Sequence, residues 1–438
     1  LLRIEETEVA VLHAAHGVRR VRAVVGAADD VEQATEVFRE ELEILKKLQQ
    51  NSQLNGVDVQ LLNKEALFKI EPFVTKNAIA GLLAPSAGII NPFELVVKLM
   101  ENAIDNGVEL GLNEEVVKIE KSPNGYFVIT NNKTYETKTV VNAAGVNSDD
   151  INNMFCPEKE KVLPRKGEYF VLDHFANPYV THTLFSVPSS KGKGVLVSPT
   201  THGNYILGPT SEFVLEKDDK SVDNDSLNNI VKECYRLVDN LPLDQVIREF
   251  SGVRSYHESN DFVINEPSIG FINLLGIQSP GLSSAPSIAE EVVNMLKNTL
   301  TLNEKTNFKK QNRIHIKMLN LTDEEKQQLI KENPDYGKII CRCETISVGE
   351  IKDVINRSCG ATTIKGVKKR CRPGFGKCQG GFCESLVLKI LCEELHKEPY
   401  EITKAGKGSY IVLNEDENQE KKKSSKKKKE VKKKEEDE

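Results

Sequence analysis

The sequence predicts an α/β (α+β) chain in two folded parts, a large mixed-sheet domain followed by a small helical one rich in cysteine. Three observations carry this. At 438 residues the chain exceeds one ordinary domain and suits two. Residues 114–145 read as an antiparallel meander, while FINLLGIQSPGLSSAPSIAEEVVNMLKN (271–298) reads as strand, glycine-containing turn and helix. Seven of the nine cysteines lie between Cys341 and Cys392, with only Cys156 and Cys234 before them.

Composition narrows the function classes. An apolar share of 39% with 28% charged residues is that of a globular chain with a sizeable core. No apolar run approaches the roughly 20 residues that cross a bilayer, so no transmembrane segment is expected. The opening LLRIEETEVA is acidic where a secretory signal is basic and then apolar, and a cytoplasmic address follows as the default. A net charge of −6 argues against a general nucleic-acid binder. The odd, clustered cysteines suit metal thiolates in a reducing compartment better than a disulfide framework.

Along the chain, the first lysine is Lys46, and the preceding Ala-, Val- and Arg-rich stretch has a foreign composition. A helix is expected from Val31, where Val31, Ala34, Phe38, Leu42, Leu45 and Leu48 recur every three or four residues. The meander comprises EEVVKIEK, GYFVITNN and KTYETKTVVNAAG. A second strand-rich block runs from GEYFVLD through GVLVSPTTHGNYILGPT, and a helix is expected over 225–240. Residues 1–299 form the large domain. Residues 300–337 form a polar connector with a helix capped by Thr322, residues 338–395 the cysteine-rich domain, and residues 396–438 an extension. The extension ends in EKKKSSKKKKEVKKKEEDE, expected to be a disordered, solvated run; a targeting or nucleic-acid-binding tail is the alternative.

The cysteines run C-R-C at 341–343 and C-Q-G-G-F-C at 378–383, and the pairs meet only if the intervening residues fold back. The means are present: Ser347 and Glu350 have capping-box spacing, Ile351, Val354 and Ile355 make an apolar stripe, Gly360 ends that helix, and Thr363 begins another. Gly374, Gly376, Gly380 and Gly381 let backbone amides approach a buried anionic centre. A third helix starts after Cys383 and points its N-terminus at the thiolates. Four thiolates hold either a structural zinc or a [2Fe–2S] cluster, and spacing alone leaves both open. The segments IICRCETISVGEI and GATTIKGVKKRCRPGFGKCQGGFC resemble the bacterioferritin-associated-ferredoxin-like [2Fe–2S] domain appended to anaerobic-type glycerol-3-phosphate dehydrogenases. That resemblance implies a [2Fe–2S] cluster on Cys341, Cys343, Cys378 and Cys383, with Cys371 dispensable and Cys359 and Cys392 packing helices.

The large domain carries a second resemblance. TVVNAAGVNSDDI is similar to a strand and turn of the glutathione-reductase-type FAD fold, with Ala144 and Gly145 beside the flavin. GIQSPGLSSAPSIAEEV is similar to that fold's last flavin motif. There Gly281, Leu282 and Ser283 open a helix whose dipole stabilises a reduced isoalloxazine. With LLAPSAGIINPFEL, LPRKGEYFVLD and SPTTHGNYILGPTSE, roughly residues 50–395 resemble the FAD-dependent oxidoreductases that include glycerol-3-phosphate dehydrogenase and L-2-hydroxyglutarate oxidase, of the D-amino-acid-oxidase-like fold. The resemblance implies FAD, a mixed-sheet substrate domain interleaved with the FAD domain, and hydride transfer from a small anionic secondary alcohol. Either glycerol 3-phosphate or a 2-hydroxy acid would serve, with the electron acceptor and oligomeric state unspecified. Arg254 in SGVRSY is expected to hold the anion, since its fork suits phosphate or carboxylate; a surface ion pair is its bland role. His202 in TTHGNY is the base by residue type, or a structural turn residue. Arg165 and Lys166 line the flavin or substrate, or sit at a strand edge, and Val117 resembles the position whose backbone meets the adenine.

One departure stands out. The family begins with a strand and G-x-G-x-x-G, whose glycines admit the FAD pyrophosphate. Here VRAVVGAADD offers one glycine, Gly26. The FAD domain is therefore expected to lack its first βαβ motif through truncation, a foreign N-terminal segment or degeneration. Three functions follow: a glycerol-3-phosphate dehydrogenase-like enzyme, an L-2-hydroxyglutarate-type enzyme, or a non-catalytic remnant whose cluster serves electron transfer or docking.

Overall fold

The computed structural model describes residues 20–24, 31–175, 177–188 and 194–414, with side chains from residue 40. Gly26 and the lysine-rich end of the chain lie outside the described residues. The chain divides into two compact units that do not follow chain order: one up to residue 91 and from 111 to 306, the other 92–110 and 307 onward.

The first unit opens with strand β1 (Arg20–Val24), helix α1 (Val31–Leu54), β2 (Gln60–Asn63), α2 (Lys64–Ile70) and β3 (Ala80–Ala84). Helix α3 (Pro92–Asp105) belongs to the second unit. Then come β4 (Val116–Ser122), β5 (Gly125–Thr130), β6 (Thr134–Thr137), β7 (Val140–Asn142) and α4 (Ser148–Phe155). The long β8 (Val162–Leu172) precedes β9 (Thr183–Phe185), β10 (Leu196–Pro199), β11 (Tyr205–Gly208), β12 (Glu212–Phe213) and α5 (Asn224–Tyr235). The unit closes with β13 (Val246–His257), β14 (Val263–Ser268), β15 (Phe271–Leu275) and α6 (Gly281–Leu296).

The expected meander divides after β6. Strands β4, β5 and β6 pair antiparallel, but β7 leaves them to lie parallel to β15. The buried side chains of β7 and β15 explain the switch: Asn142 Nδ2 donates to Asn273 Oδ1 at 2.9 Å and to the Ser148 carbonyl at 2.7 Å. Satisfied inside the three-stranded sheet, these amides avoid the cost of a bare buried polar group. Strand β1 does not join this sheet. It pairs antiparallel with β3 and parallel with β9, within the nine-stranded sheet ordered β12-β8-β11-β10-β9-β1-β3-β2 with β13 on β8.

Strand β8 makes the nine-stranded sheet two-faced. Val162, Pro164, Lys166, Glu168, Phe170 and Leu172 are buried, whereas Leu163, Arg165, Tyr169 and Val171 between them are half-buried, the period of two that a strand imposes. Phe170 and Leu172 pack with Leu227, Ile230 and Cys234 of α5 in one core. The other face of β8 stays open.

In the second unit, α7 (Asp323–Glu332) begins at the capping box of Thr322 and Glu325. Strands β16 (Ile339–Cys341) and β17 (Ile346–Ser347) lead into α8 (Val348–Ile355), where Ser347 and Glu350 form the predicted capping box. Gly360 follows, and a Cβ there would strike the Ile355 carbonyl at 2.1 Å. Helices α9 (Ile364–Cys371), capped by Thr363, and α10 (Glu384–Leu395), starting after Cys383, complete it. Ile351, Val354, Val367, Val387 and Leu391 form the shared core. A buried ion-pair group ties α3 to this core: Arg357 Nε to Glu101 at 2.7 Å and Nη1 to Asp353 at 3.0 Å, with Lys98 at 2.8 Å from Glu101. Burial alone would raise the Glu101 carboxyl, but hydrogen bonds from Arg357 and Lys98 outweigh it and hold the group below its ordinary value. Among the described residues no helix is long and apolar enough to cross a membrane.

Candidate active-site face and cluster pocket

Arg165 and Arg254 stand directly opposite each other on the antiparallel pair β8 and β13, both on the open face. Like charges in that relation are unfavourable unless something else holds them. Arg254 donates from Nη2 to the Thr210 carbonyl at 2.8 Å, and its Nε meets the Arg165 carbonyl at 3.5 Å. The Arg165 guanidinium lies 5.5 Å above the Phe213 ring and 5.6 Å above that of Tyr256. Its Nε is buried without a hydrogen-bond partner. Carbonyls and rings, not carboxylates, therefore hold two adjacent cations. Burial pulls the Arg254 pKa down and the charge of Arg165 adds to this, although Tyr169 opposes it. An anion laid across both would relieve the repulsion and supply the missing acceptor.

The next cross-strand pair on this face is Gly167 with Gly252, and beyond it Tyr169 stacks on Phe250 at 4.9 Å. A Cβ on Gly252 would meet nothing within 4 Å, whereas one on Gly167 would lie 3.0 Å from an Arg254 nitrogen. Exposed backbone at Gly252 thus lies between a cationic end and an aromatic end, a place where a ligand can approach closely, while the space over Gly167 is filled by Arg254, Pro209 and the Thr210 carbonyl. Sequence reasoning missed these glycines and rings; the signal was a glycine at the centre of each long strand, in RKGEYF and in FSGVRS.

The flavin-motif residues lie in the same unit. The Ser255 hydroxyl donates to the Gly145 carbonyl at 3.1 Å, which ties the strand carrying Arg254 to the turn carrying Ala144. Gly145 adopts φ +61 with open space where a Cβ would be, and Ala144 is exposed. Gly281 opens α6, a Cβ there would strike Ile277 at 2.6 Å, and the Ser283 hydroxyl donates to the Pro280 carbonyl at 2.8 Å. Val117, at the bulge of β4, and Leu282 expose apolar side chains. A tight helix mouth, an open left-handed turn and exposed apolar side chains fit a planar cofactor such as FAD.

Two expectations come apart here. His202 sits in the turn between β10 and β11, its carbonyl accepting from His174 Nδ1 at 3.2 Å. Tyr205 of β11 faces Leu172, seven residues along β8 from Arg165, or about 23 Å of strand. The structure does not bring His202 to Arg254. Lys166 points to the buried face, 3.2 Å from Glu168 and 3.3 Å from Asp219, because neighbours on a strand alternate sides.

In the second unit the four predicted cysteines approach in pairs. Cys343 Sγ is 3.8 Å from Cys378 Sγ, and Cys341 lies near enough to Cys383 to act on its thiol. Burial and the charge of Cys341 push Cys383 up to about 12. Burial also opposes ionisation of Cys378, but amides of Gly380, Phe382 and Gly381 and the Cys343 bond outweigh it and bring that thiol down. Sulfurs brought together in two pairs, with backbone amides aimed at Cys378, fit a cationic two-iron centre that offsets the thiolate charge. The approach needs Gly376, where a Cβ would lie 2.4 Å from Cys343 Cβ. Arg372 donates to Glu344 at 2.7 Å and clamps the two cysteine loops together. Cys371 is buried in α9, its thiol directed to the Val367 carbonyl, apart from the set.

Comparison with known proteins gives the family of each domain. Residues 7–295 match the family of FAD dependent oxidoreductases, and residues 339–393 match the BFD-like [2Fe-2S] binding domain. The chain belongs to the FAD-dependent oxidoreductase family. This oxidoreductase is 44% identical over 398 residues to the glycerol 3-phosphate dehydrogenase of Caloramator mitchellensis, spanning 90% of this chain and 81% of that protein. It is 32% identical to the glycerol 3-phosphate oxidase of Mycoplasma pneumoniae, over 65% of this chain and 74% of that one. The solved structure of dithionite-reduced L-alpha-glycerophosphate oxidase from Mycoplasma pneumoniae with FAD bound superposes with a TM-score of 0.60 at 29% identity, covering 66% of this chain and 75% of that chain. The oxidoreductase thus combines an FAD domain with a [2Fe–2S] domain.

Proposed function

We propose that this oxidoreductase oxidises glycerol 3-phosphate at its secondary alcohol, with Arg165 and Arg254 holding the phosphate and Cys341, Cys343, Cys378 and Cys383 holding the cluster that passes the electrons on. The observation that carries the proposal is the pair of opposed arginines without a carboxylate. A phosphate dianion matches two guanidinium forks better than a single carboxylate does. The relatives named as glycerol 3-phosphate dehydrogenase and oxidase support the same substrate.

FAD, when bound, supplies the two-electron acceptor. The chain's own residues do the rest of the binding work: the arginines fix one end of the substrate, the exposed backbone of Gly252 lets it lie against the sheet, and the Tyr169 and Phe250 stack bounds the far side. Val117, Ala144, Gly145, Gly281, Leu282 and Ser283 are the residues assigned to the flavin. Cysteines concentrated in one small domain as cluster ligands support a reducing, cytoplasmic setting.

Steady-state reduction of a neutral quinone by the anaerobically purified, flavin-loaded chain tests this. Glycerol 3-phosphate should support turnover, and Arg254→Ala should raise its KM at least tenfold. Preference for 2-hydroxyglutarate, or inactivity of loaded protein on glycerol 3-phosphate, would overturn the assignment.

A further inference from the structure

We propose that the exposed edge of the cluster pocket is a docking face for a small acidic one-electron carrier protein. The proposal extends the reading above, in which electrons leave through the cluster. All four cluster cysteines have an exposed neighbour: Arg342 between Cys341 and Cys343, Lys377 before Cys378, and Phe382 before Cys383. Phe382 is 84% exposed, a large apolar ring held in water. Leu386, one turn further along α10, is exposed as well, and Lys389 follows on the same side. Cys343 is itself exposed while Cys341 and Cys383 are buried, so the solvent edge of the site lies within this patch.

The charge of the patch selects the partner. Its acids are paired within the unit, Glu344 with Arg372, Glu384 with Lys404 at 2.9 Å and Glu393 with Lys389 at 3.9 Å. Arg342 and Lys377 form no ion pair among the described residues, leaving a cationic rim on a chain of net charge −6. An apolar centre inside a charged rim is the anatomy of a transient protein interface, and rim charge governs its association rate. Two bare cations and one ring are few for a bilayer, and a bilayer alone brings no electron acceptor to Cys343.

The redox balance fixes the stoichiometry. Oxidising a secondary alcohol to a ketone breaks one C–H and one O–H bond and yields two electrons and two protons. The cluster passes electrons singly, so two carrier molecules each gain one electron and the protons go to solvent.

The test uses the flavin- and cluster-loaded chain with cytochrome b5 as the acidic probe and cytochrome c as the basic one. Association is followed by titration calorimetry, and reduction by stopped-flow absorbance after reducing the chain with dithionite. This reports docking whether or not glycerol 3-phosphate is the substrate. Cytochrome b5 should bind at low salt and weaken several-fold at about 0.15 M. The double variant Arg342→Glu, Lys377→Glu should lower its affinity and its reduction rate at least tenfold, with the cluster absorption and neutral-quinone reduction unchanged. Should that variant lose its cluster, Lys389→Glu and Phe382→Ser carry the same comparison, and each should weaken binding several-fold. Equal or better binding of cytochrome c, insensitivity of cytochrome b5 to all these variants, or patch-dependent binding to phosphatidylserine vesicles in place of cytochrome b5 would overturn the proposal.

Discussion

Gly167 lies beneath Arg254: the Cβ it lacks would stand 3.0 Å from a guanidinium nitrogen and 3.1 Å from both Pro209 Cβ and the Thr210 carbonyl that the guanidinium bonds. Gly167→Ala should therefore push Arg254 off that carbonyl without disturbing the flavin motifs. The expected outcome is a KM for glycerol 3-phosphate raised by about tenfold, equivalent to about 1.4 kcal/mol, with kcat nearly unchanged, as for lost uniform binding. Steady-state kinetics on the flavin-loaded variant check this.

His202→Asn should leave kcat/KM within about twofold of the parent, because its turn lies far along the sheet from the arginine pair. A loss of a hundredfold or more would restore it as the base.

Glu344→Gln removes the charge that clamps Arg372 to the first cysteine loop. Cluster release to a chelator, followed by visible absorbance, should quicken several-fold while flavin content holds steady. The cause is a charge-assisted bond becoming a neutral one, worth about half as much.

Arg357→Met strips the buried Glu101 and Asp353 of a shared cation and should cost about 3–5 kcal/mol in urea unfolding monitored by cluster absorbance. The same network predicts a pH dependence. Glu101 is held below its ordinary 4.5 in the folded protein, so its stabilisation is complete above that value and is lost as pH falls through the lowered one. Denaturation midpoints should therefore drop on acidification below about pH 4.5 in the parent and much less in Glu101→Gln.

Much of the second unit was legible because its signals are local. Ser347 with Glu350, Thr322 with Glu325 and Thr363 cap helices through residues three positions away, and a sequence displays that spacing directly. Paired cysteines with glycines between them are equally compact. The active-site face was legible only in part, since Arg165 and Arg254 become neighbours through strand pairing across 89 residues. Register, which no single segment displays, also decided that Lys166 turns inward. The departure of β7 for β15 was hidden because VVN is strand-like in either sheet, and the hydrogen bond from the Asn142 side-chain amide to that of Asn273 distinguishes them.

Helix α3 lies 256 residues before the arginine that neutralises it. During synthesis Glu101 therefore leaves the ribosome long before Arg357 exists, and the segment 92–110 must wait, unpaired, through the making of nearly the whole first unit. A chain cut at residue 306 would retain that segment and lose its partner for good. Removing the cluster domain at its linker should thus leave segment 92–110 without its partner and yield an aggregation-prone remainder.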